Sequence, residues 1–183
     1  VSAHKINGPK GTGFLYVRDK VKLVPRAYGG EQERKRRAGT ENVAAIVGFQ
    51  EAVKVANEDM LLKREKYQGF KKTFIEYLTE NSTDFSINGL LENSLPHVLN
   101  LSFPGTNVEA MLVNLDLAGI AVSSGSACTA GSIEPSHVLV AMFGKESEVL
   151  INSIRFSFGF NTTEEQIIKA AEETVRIVSR LKK

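Results

Sequence analysis

In the second half of this chain the apolar residues switch repeatedly between two spacings, and that alternation limits the fold more than any other feature. Residues 84–88 and 97–103 are short runs bounded by Asn, Gly or Pro, and residues 153–158 alternate in polarity, all patterns of strands. Between and after them the apolar residues return at helical spacing. Residues 103–119 carry a capping-box pair, Thr106 and Glu109, ahead of an apolar face at 110–117, and Gly119 is placed to stop that helix. Thr162, Thr163, Glu164 and Glu165 cap a final helix in which Ile167, Ile168, Ala171, Val175, Val178 and Leu181 recur on one side. Ile120, Ala121 and Val122 start a further strand. Strands that alternate with helices predict a small α/β or α+β domain.

The first half reads differently. A Gly/Pro turn at 7–13 leads into Phe14, Leu15, Tyr16 and Val17, which predict a short buried strand. Residues 18–40 form a polar, basic loop. Residues 41–57 place Val43, Ile46, Val47, Phe49, Val53 and Val55 on most sides of a helix, which predicts that it is well buried. A charged amphipathic helix at 60–78 follows, of the kind that links subdomains. No internal repeat is present.

Composition closes off several classes. With 183 residues, 42% hydrophobic and 24% charged, the chain reads as soluble and globular, one domain or two small ones. Its apolar stretches fall far short of the roughly 20 residues of a membrane span. There is no initiator Met and no signal peptide, so Val1 is expected to be an interior position of a longer protein. The single cysteine, Cys128, leaves no intrachain disulfide and no Cys-rich zinc site, and fits a reducing cytoplasm.

Net charge is +2, unevenly spread: residues 1–40 hold ten Lys/Arg against three Asp/Glu, and the remainder thirteen against eighteen. The run Arg34-Lys35-Arg36-Arg37 reads either as a patch for phosphate or nucleic acid or as a solvated loop face.

Three residues carry chemical interest. A lone cytosolic cysteine is most often an inert core residue, but Cys128 stands within residues 123–132, otherwise all small or hydroxyl-bearing, which predicts a mobile, solvent-reachable tip. Lys5 follows Ser2 and His4 and precedes the Gly/Pro turn. Most lysines are surface charges; one beside hydroxyl and imidazole groups can also approach an anionic phosphate and form a Schiff base with an aldehyde cofactor. Arg155 lies in an alternating apolar strand, where it either pairs with a carboxylate at a sheet edge or binds a substrate carboxylate with both guanidinium donors. His97 and His137 have no Cys or carboxylate partner at metal-ligand spacing, and no metal site is expected.

Taken in order, five segments resemble one family: Ser2-Ala3-His4-Lys5 with Gly8-Pro9-Lys10-Gly11; Arg37-Ala38-Gly39-Thr40-Glu41-Asn42; Ser123-Ser124-Gly125-Ser126-Ala127-Cys128; Glu134-Pro135-Ser136-His137-Val138-Leu139; and Ile154-Arg155-Phe156-Ser157. The family is the NifS-like cysteine desulfurases, pyridoxal-phosphate (PLP) enzymes of aminotransferase class V with fold type I. The resemblance implies an α/β fold, the C-terminal part of such an enzyme, with residues 1–60 the end of the large cofactor domain and 61–183 the small domain that carries the cysteine loop. It implies that Lys5 bonds covalently to PLP and later moves protons at the substrate carbon, and that Ser2 and His4 contact the cofactor phosphate. Thr40 would reach the phosphate of a partner subunit, hence a homodimer. Cys128 would take sulfur from L-cysteine as a persulfide, with alanine leaving, and Arg155 would hold the substrate carboxylate.

The persulfide would then pass to an acceptor protein, an iron–sulfur scaffold or a tRNA-thiolation enzyme. The basic stretch at 34–37 is better explained by the approach to Thr40, and direct nucleic-acid binding is not expected. Members of the family are much longer than this chain, and their upstream groups that stack on the ring, pair an aspartate with its nitrogen and complete the phosphate cup are not in this sequence. Two other readings therefore stand beside the first: a non-catalytic fragment or split half that binds a partner, and selenocysteine lyase or another class V enzyme.

Overall fold

The computed structural model describes residues 1–124 and 135–182. They form two compact units, Val1–Leu61 and Leu62–Lys183.

The first unit is built around a closed segment at its start. Val1 N donates to Phe14 O at 2.8 Å, and Phe14 N returns a bond to Val1 O at 3.0 Å. Ala3 N donates to Thr12 O at 3.0 Å, so residues 1–3 run antiparallel to residues 12–14 around a single bridge, Ser2 to Gly13. Gly13 is required there, because a Cβ would collide with Val1 O. A 3-10 turn, Ala3–Ile6, is stopped by Asn7 in the left-handed conformation (φ 64°), and Gly8 N closes it onto Ala3 O at 2.9 Å. Residues 15–40 contain one short turn, α1 (Gln32–Lys35), in which Glu33, Arg34 and Lys35 have left-handed backbone (φ 49°, 57° and 64°).

Helix α2 (Val43–Glu58) starts where Asn42 Oδ1 accepts from Ala45 N at 3.1 Å, an N-cap of about 1 kcal/mol. Two expectations are corrected in this unit. Residues 14–17 are not a buried strand: Phe14, Leu15 and Tyr16 are exposed, and beyond the bonds of Phe14 to Val1 no strand pairs with residues 15–17 among the described residues. A strand needs a ladder partner to satisfy its backbone, and the pairing with residues 1–3 ends at Phe14, whose ring stacks on Phe49 with centroids 5.6 Å apart. Nor is α2 well buried. Phe49 is its one buried residue, while Val43, Ile46, Val47, Val53 and Val55 are exposed within the unit.

The second unit contains a three-stranded antiparallel sheet of order β1 (Ser86–Ile87), β2 (Val98–Ser102), β3 (Ser153–Ser157). Its helices are α3 (Met60–Glu80, entering from the first unit), α4 (Val108–Leu117), α5 (His137–Phe143), α6 (Val149–Asn152) and α7 (Glu164–Leu181). Strand periodicity sends Leu99, Leu101 and Phe103, with Ile154, Phe156 and Phe158, to one side of the sheet. Against that side pack Phe70, Phe74 and Leu78 of α3, Met111 and Leu115 of α4, and Ile167, Ala171, Ile177 and Val178 of α7, forming one core. The spacing of each set is the one that lines a single helix face.

Helix α7 has the expected start, with Thr163 and Gln166 capping each other's backbone. Helix α4 does not: Asn107, rather than Thr106, is its N-cap and accepts from Glu109 N and Ala110 N. The Thr106 hydroxyl instead donates to Phe103 O at 2.8 Å, which ties the end of β2 to the helix entry. Residues 120–122 do not form a strand; a single bridge, Ser123 to Arg155, is made at that edge. Among the described residues no helix is long and apolar enough to cross a membrane.

Phe74 is fully buried and its ring lies 4.6 Å from that of Phe156, joining α3 to the sheet. Phe74→Ala is expected to cost about 3–5 kcal/mol of unfolding free energy in the full-length protein, read from the denaturation midpoint at unchanged slope.

Candidate active site

In the first unit, the closed segment determines where the chemistry-bearing residues point. Ala3 is fully buried beneath Gly8, with Ala52 of α2 alongside. With Ala3 turned inward, the next two residues of the tight turn, His4 and Lys5, face solvent, and Ser2 is half-buried at its start. Ser2 makes no capping bond, and among the described residues Lys5 has no ion pair. Ser2, His4 and Lys5 are therefore three polar groups on one turn without structural duties of their own. Thr40, also exposed, stands two residues before the Asn42 cap, just after Gly39 N donates to Gln32 Oε1 at 3.1 Å. No hydrogen bond joins Thr40 to the Lys5 turn among the described residues.

In the second unit, the side of the sheet away from the core is polar. The register places Asn100 opposite Arg155 and Ser102 opposite Ser153. Arg155 N donates to Ser123 O at 2.6 Å and Ser123 N to Arg155 O at 3.2 Å. Both backbone bonds of Arg155 thus go to Ser123, which makes Asn100 and Arg155 a non-hydrogen-bonded pair, the kind whose side chains lie closest. Asn88 N donates to Asn100 O at 2.9 Å, so Asn88, Asn100, Arg155 and Ser123 form one row across the sheet.

Behind this row the polar atoms satisfy one another. Asn88 Nδ2 donates to Asn100 Oδ1 at 2.6 Å and to Ser153 Oγ at 2.9 Å, and Ser102 Oγ donates to Asn88 Oδ1 at 3.0 Å. Ser153 Oγ donates to Val149 O at 2.5 Å, at the start of α6. Arg155, like Asn152 Oδ1 at the end of α6, is an exception. Its Nε is buried and has no hydrogen-bond partner among the described residues, and no carboxylate pairs with the guanidinium. A buried charged donor left without an acceptor is costly unless a ligand supplies one. Cys128 lies outside the described residues, five positions beyond Ser123.

A second charged group is buried in this unit. Lys71 is 5% exposed and donates to Ser94 Oγ at 2.7 Å and Leu95 O at 2.6 Å, with no carboxylate partner among the described residues. It borders a cavity of about 530 Å³ whose other walls include Ile75, Leu91 and Pro96. Burial pushes the Lys71 ammonium down from its ordinary 10.5. Burial, and then the charge of Lys71, push the imidazole of His97 down from 6.5. His97 packs edge-on to Tyr67, ring centroids 6.3 Å apart, and precedes β2.

Residues 1–169 match the family described as aminotransferase class V. The chain belongs to that family. Within it, the chain is 62% identical over 181 residues to the putative cysteine desulfurase IscS 1 of Bacillus subtilis, covering 99% of this chain and 48% of that protein. It is 41% identical to the cysteine desulfurase IscS of Dictyoglomus turgidum, covering 100% of this chain and 46% of that one. The chain therefore spans about half the length of the curated relatives it matches. Among solved structures, a NifS-like protein superposes with a TM-score of 0.83 at 32% identity, over 98% of this chain and 45% of that one. DndA of Streptomyces lividans superposes at 0.63 and 36% identity, over 86% and 45%. The α/β fold implied by the sequence, part of a fold type I class V protein, is the one these structures share.

The polar row beside Arg155 was not visible one residue at a time. The alternations Val98-Leu99-Asn100-Leu101-Ser102 and Ser153-Ile154-Arg155-Phe156-Ser157 carry the signal, but strand register is needed to join them. Lys71 gives no sequence signal, since its stretch of α3 is rich in exposed lysines.

The depressed His97 yields a pH test. Between its folded value and 6.5 the unfolded chain binds more protons, so its contribution to stability is complete above about pH 6.5 and is lost as pH falls through that window. In the full-length protein, the fall in melting temperature from about pH 7.5 to about pH 5 is expected to be shallower in His97→Phe than in the wild type.

Proposed function

We propose that this chain supplies the lysine, the sulfur-accepting cysteine and the carboxylate-binding arginine of a PLP-dependent cysteine desulfurase, which converts L-cysteine to alanine and an enzyme persulfide. The observation that carries this reading is Arg155, whose buried Nε lacks an acceptor on a polar face where Asn88 Oδ1 and Asn100 Oδ1 are already engaged by other donors. The 62% identity to a putative cysteine desulfurase over nearly the whole chain supports it.

The residues present fit PLP by their chemistry. Lys5 is an exposed amine free of ion pairs among the described residues, able to bond to an aldehyde carbon; Ser2 and His4 on the same turn can donate to a phosphate. The surrounding 40 residues are strongly basic, which favours an anion. When bound, PLP supplies an electron sink for negative charge at the substrate Cα. Lys5 holds the cofactor and then moves the proton at Cα. Arg155 binds the substrate carboxylate through both guanidinium edges and so orients the amino acid. Cys128, as the thiolate, attacks the substrate sulfur: an S–S bond forms as the Cβ–S bond breaks, and a proton completes the methyl group of alanine.

In this reading residues 1–60 are the end of a larger cofactor domain, in keeping with the exposed apolar residues of α2, and 61–183 are a small domain. Thr40, exposed and without a side-chain partner among the described residues, is free to contact a second subunit of a homodimer. The persulfide is handed to an acceptor protein, an iron–sulfur scaffold or a tRNA-thiolation enzyme. One cysteine in 183 residues suits a reducing cytoplasm.

In the full-length protein, Cys128→Ala is expected to abolish sulfide release from L-cysteine with dithiothreitol while cofactor absorbance stays, and Lys5→Ala to remove that absorbance. Sulfide release at the parental rate by Cys128→Ala would refute the assignment. Arg155→Lys is expected to raise KM for L-cysteine about tenfold or more, because a point charge replaces a two-pronged donor.

A further inference from the structure

We propose that the amide of Asn100 is a second donor to the carboxylate held by Arg155, and that Asn88, Ser102 and Ser153 serve to turn it toward that ligand. The inference rests on the reading of Arg155 given above and extends it to a residue with no assigned role.

Orientation follows from the hydrogen bonds. Asn88 Oδ1 accepts from Ser102 Oγ, so its Nδ2 is the group left to reach Asn100 and Ser153. That commits Asn100 Oδ1 to the β1 side at 2.6 Å. A carboxamide is planar, and its nitrogen lies on the edge opposite the oxygen's partner. Asn100 Nδ2 is therefore turned away from β1 and toward β3, where Arg155 stands directly across. The non-hydrogen-bonded pairing brings such Cβ atoms to about 4.5–5.5 Å.

No acceptor among the described residues takes the Asn100 Nδ2 hydrogens, and none takes Arg155 Nε. Two neighbouring donors without acceptors match a ligand with two acceptor oxygens and no protons, which is a carboxylate. A neutral carboxamide fits poorly, since its own NH₂ would face a donor. Asn100 would thus select the acid of a small amino acid over its amide, because the wrong ligand sets its own NH₂ against the Asn100 donor beside the buried, unpaired Arg155 Nε.

The test uses the full-length holoenzyme and calorimetric titration with L-alanine and L-alaninamide. Asn100→Asp keeps the acceptor for Asn88 and replaces the donor with an anionic oxygen; Asn100→Ala removes the donor outright. Each is expected to weaken L-alanine binding about tenfold or more and to leave L-alaninamide affinity within about twofold. A variant that melts like the wild type and binds L-alanine equally well overturns the inference, and so does equal weakening toward both ligands, the mark of a merely structural role. Arg155→Lys separates the two readings. If it weakens L-alanine binding and the Asn100 variants do not, Asn100 fails alone. If the Asn100 variants weaken binding and Arg155→Lys does not, the carboxylate site at Asn100 stands and the role given to Arg155 falls.

Discussion

The antiparallel register of β2 against β3 is the constraint on which the second unit depends. Val98 faces Ser157, Leu99 faces Phe156, and the ladder continues to Ser102 and Ser153. Because strand side chains alternate with a period of two, a slip of one residue would carry Leu99 and Leu101 out of the core and bring Asn100 and Ser102 into it. The apolar side of the sheet, packed against α3, α4 and α7, makes such a slip costly. The same interaction that builds the core thus holds Arg155 beside Asn100 on the opposite side. Stability and ligand geometry are two faces of one ladder.

The first unit achieves its geometry by a different route. It has little core, with Ala3 and Phe49 its buried apolar residues. Backbone bonds between residues 1–3 and 12–14 hold the tight turn, and inward burial of Ala3 turns its neighbours outward. Lys5 is exposed because of where Ala3 goes. An amine placed this way is supported by a short closed backbone and remains available for covalent chemistry.

Much of this was legible in the residues themselves. The capping box at Thr163 and the helical spacing of Ile167, Ala171 and Val178 fall where α7 forms, since capping and periodicity are local. The five motif segments, read in order, point to the class V family that the match over residues 1–169 shows. Local signals failed where a neighbour decides the outcome. Leu15 to Val17 have strand composition but no ladder partner, and α2 has apolar residues on most sides but exposes Val43, Ile46, Val47, Val53 and Val55. At α4 both Thr106 and Asn107 are good caps; Thr106 was drawn to the Phe103 carbonyl, leaving Asn107 to receive the helix amides.

The chain's sequence by itself determined its family, the places of the three sheet strands and of α4 and α7 in the second half, and which residue types are available for chemistry: one thiol, a lysine after Ser2 and His4, an arginine in an apolar strand. These depend on composition and on spacings of a few residues. Only the tertiary structure decided that Lys71 is buried without a carboxylate, that Arg155 Nε lacks an acceptor, and that Asn88, Asn100, Arg155 and Ser123 share a row. Those facts depend on the pairing of residues up to 59 positions apart in the chain, as Val98 and Ser157 are. Strand alternation can say that a side chain lies on one face or the other; which side chains meet there is set by register, and register is set by the core.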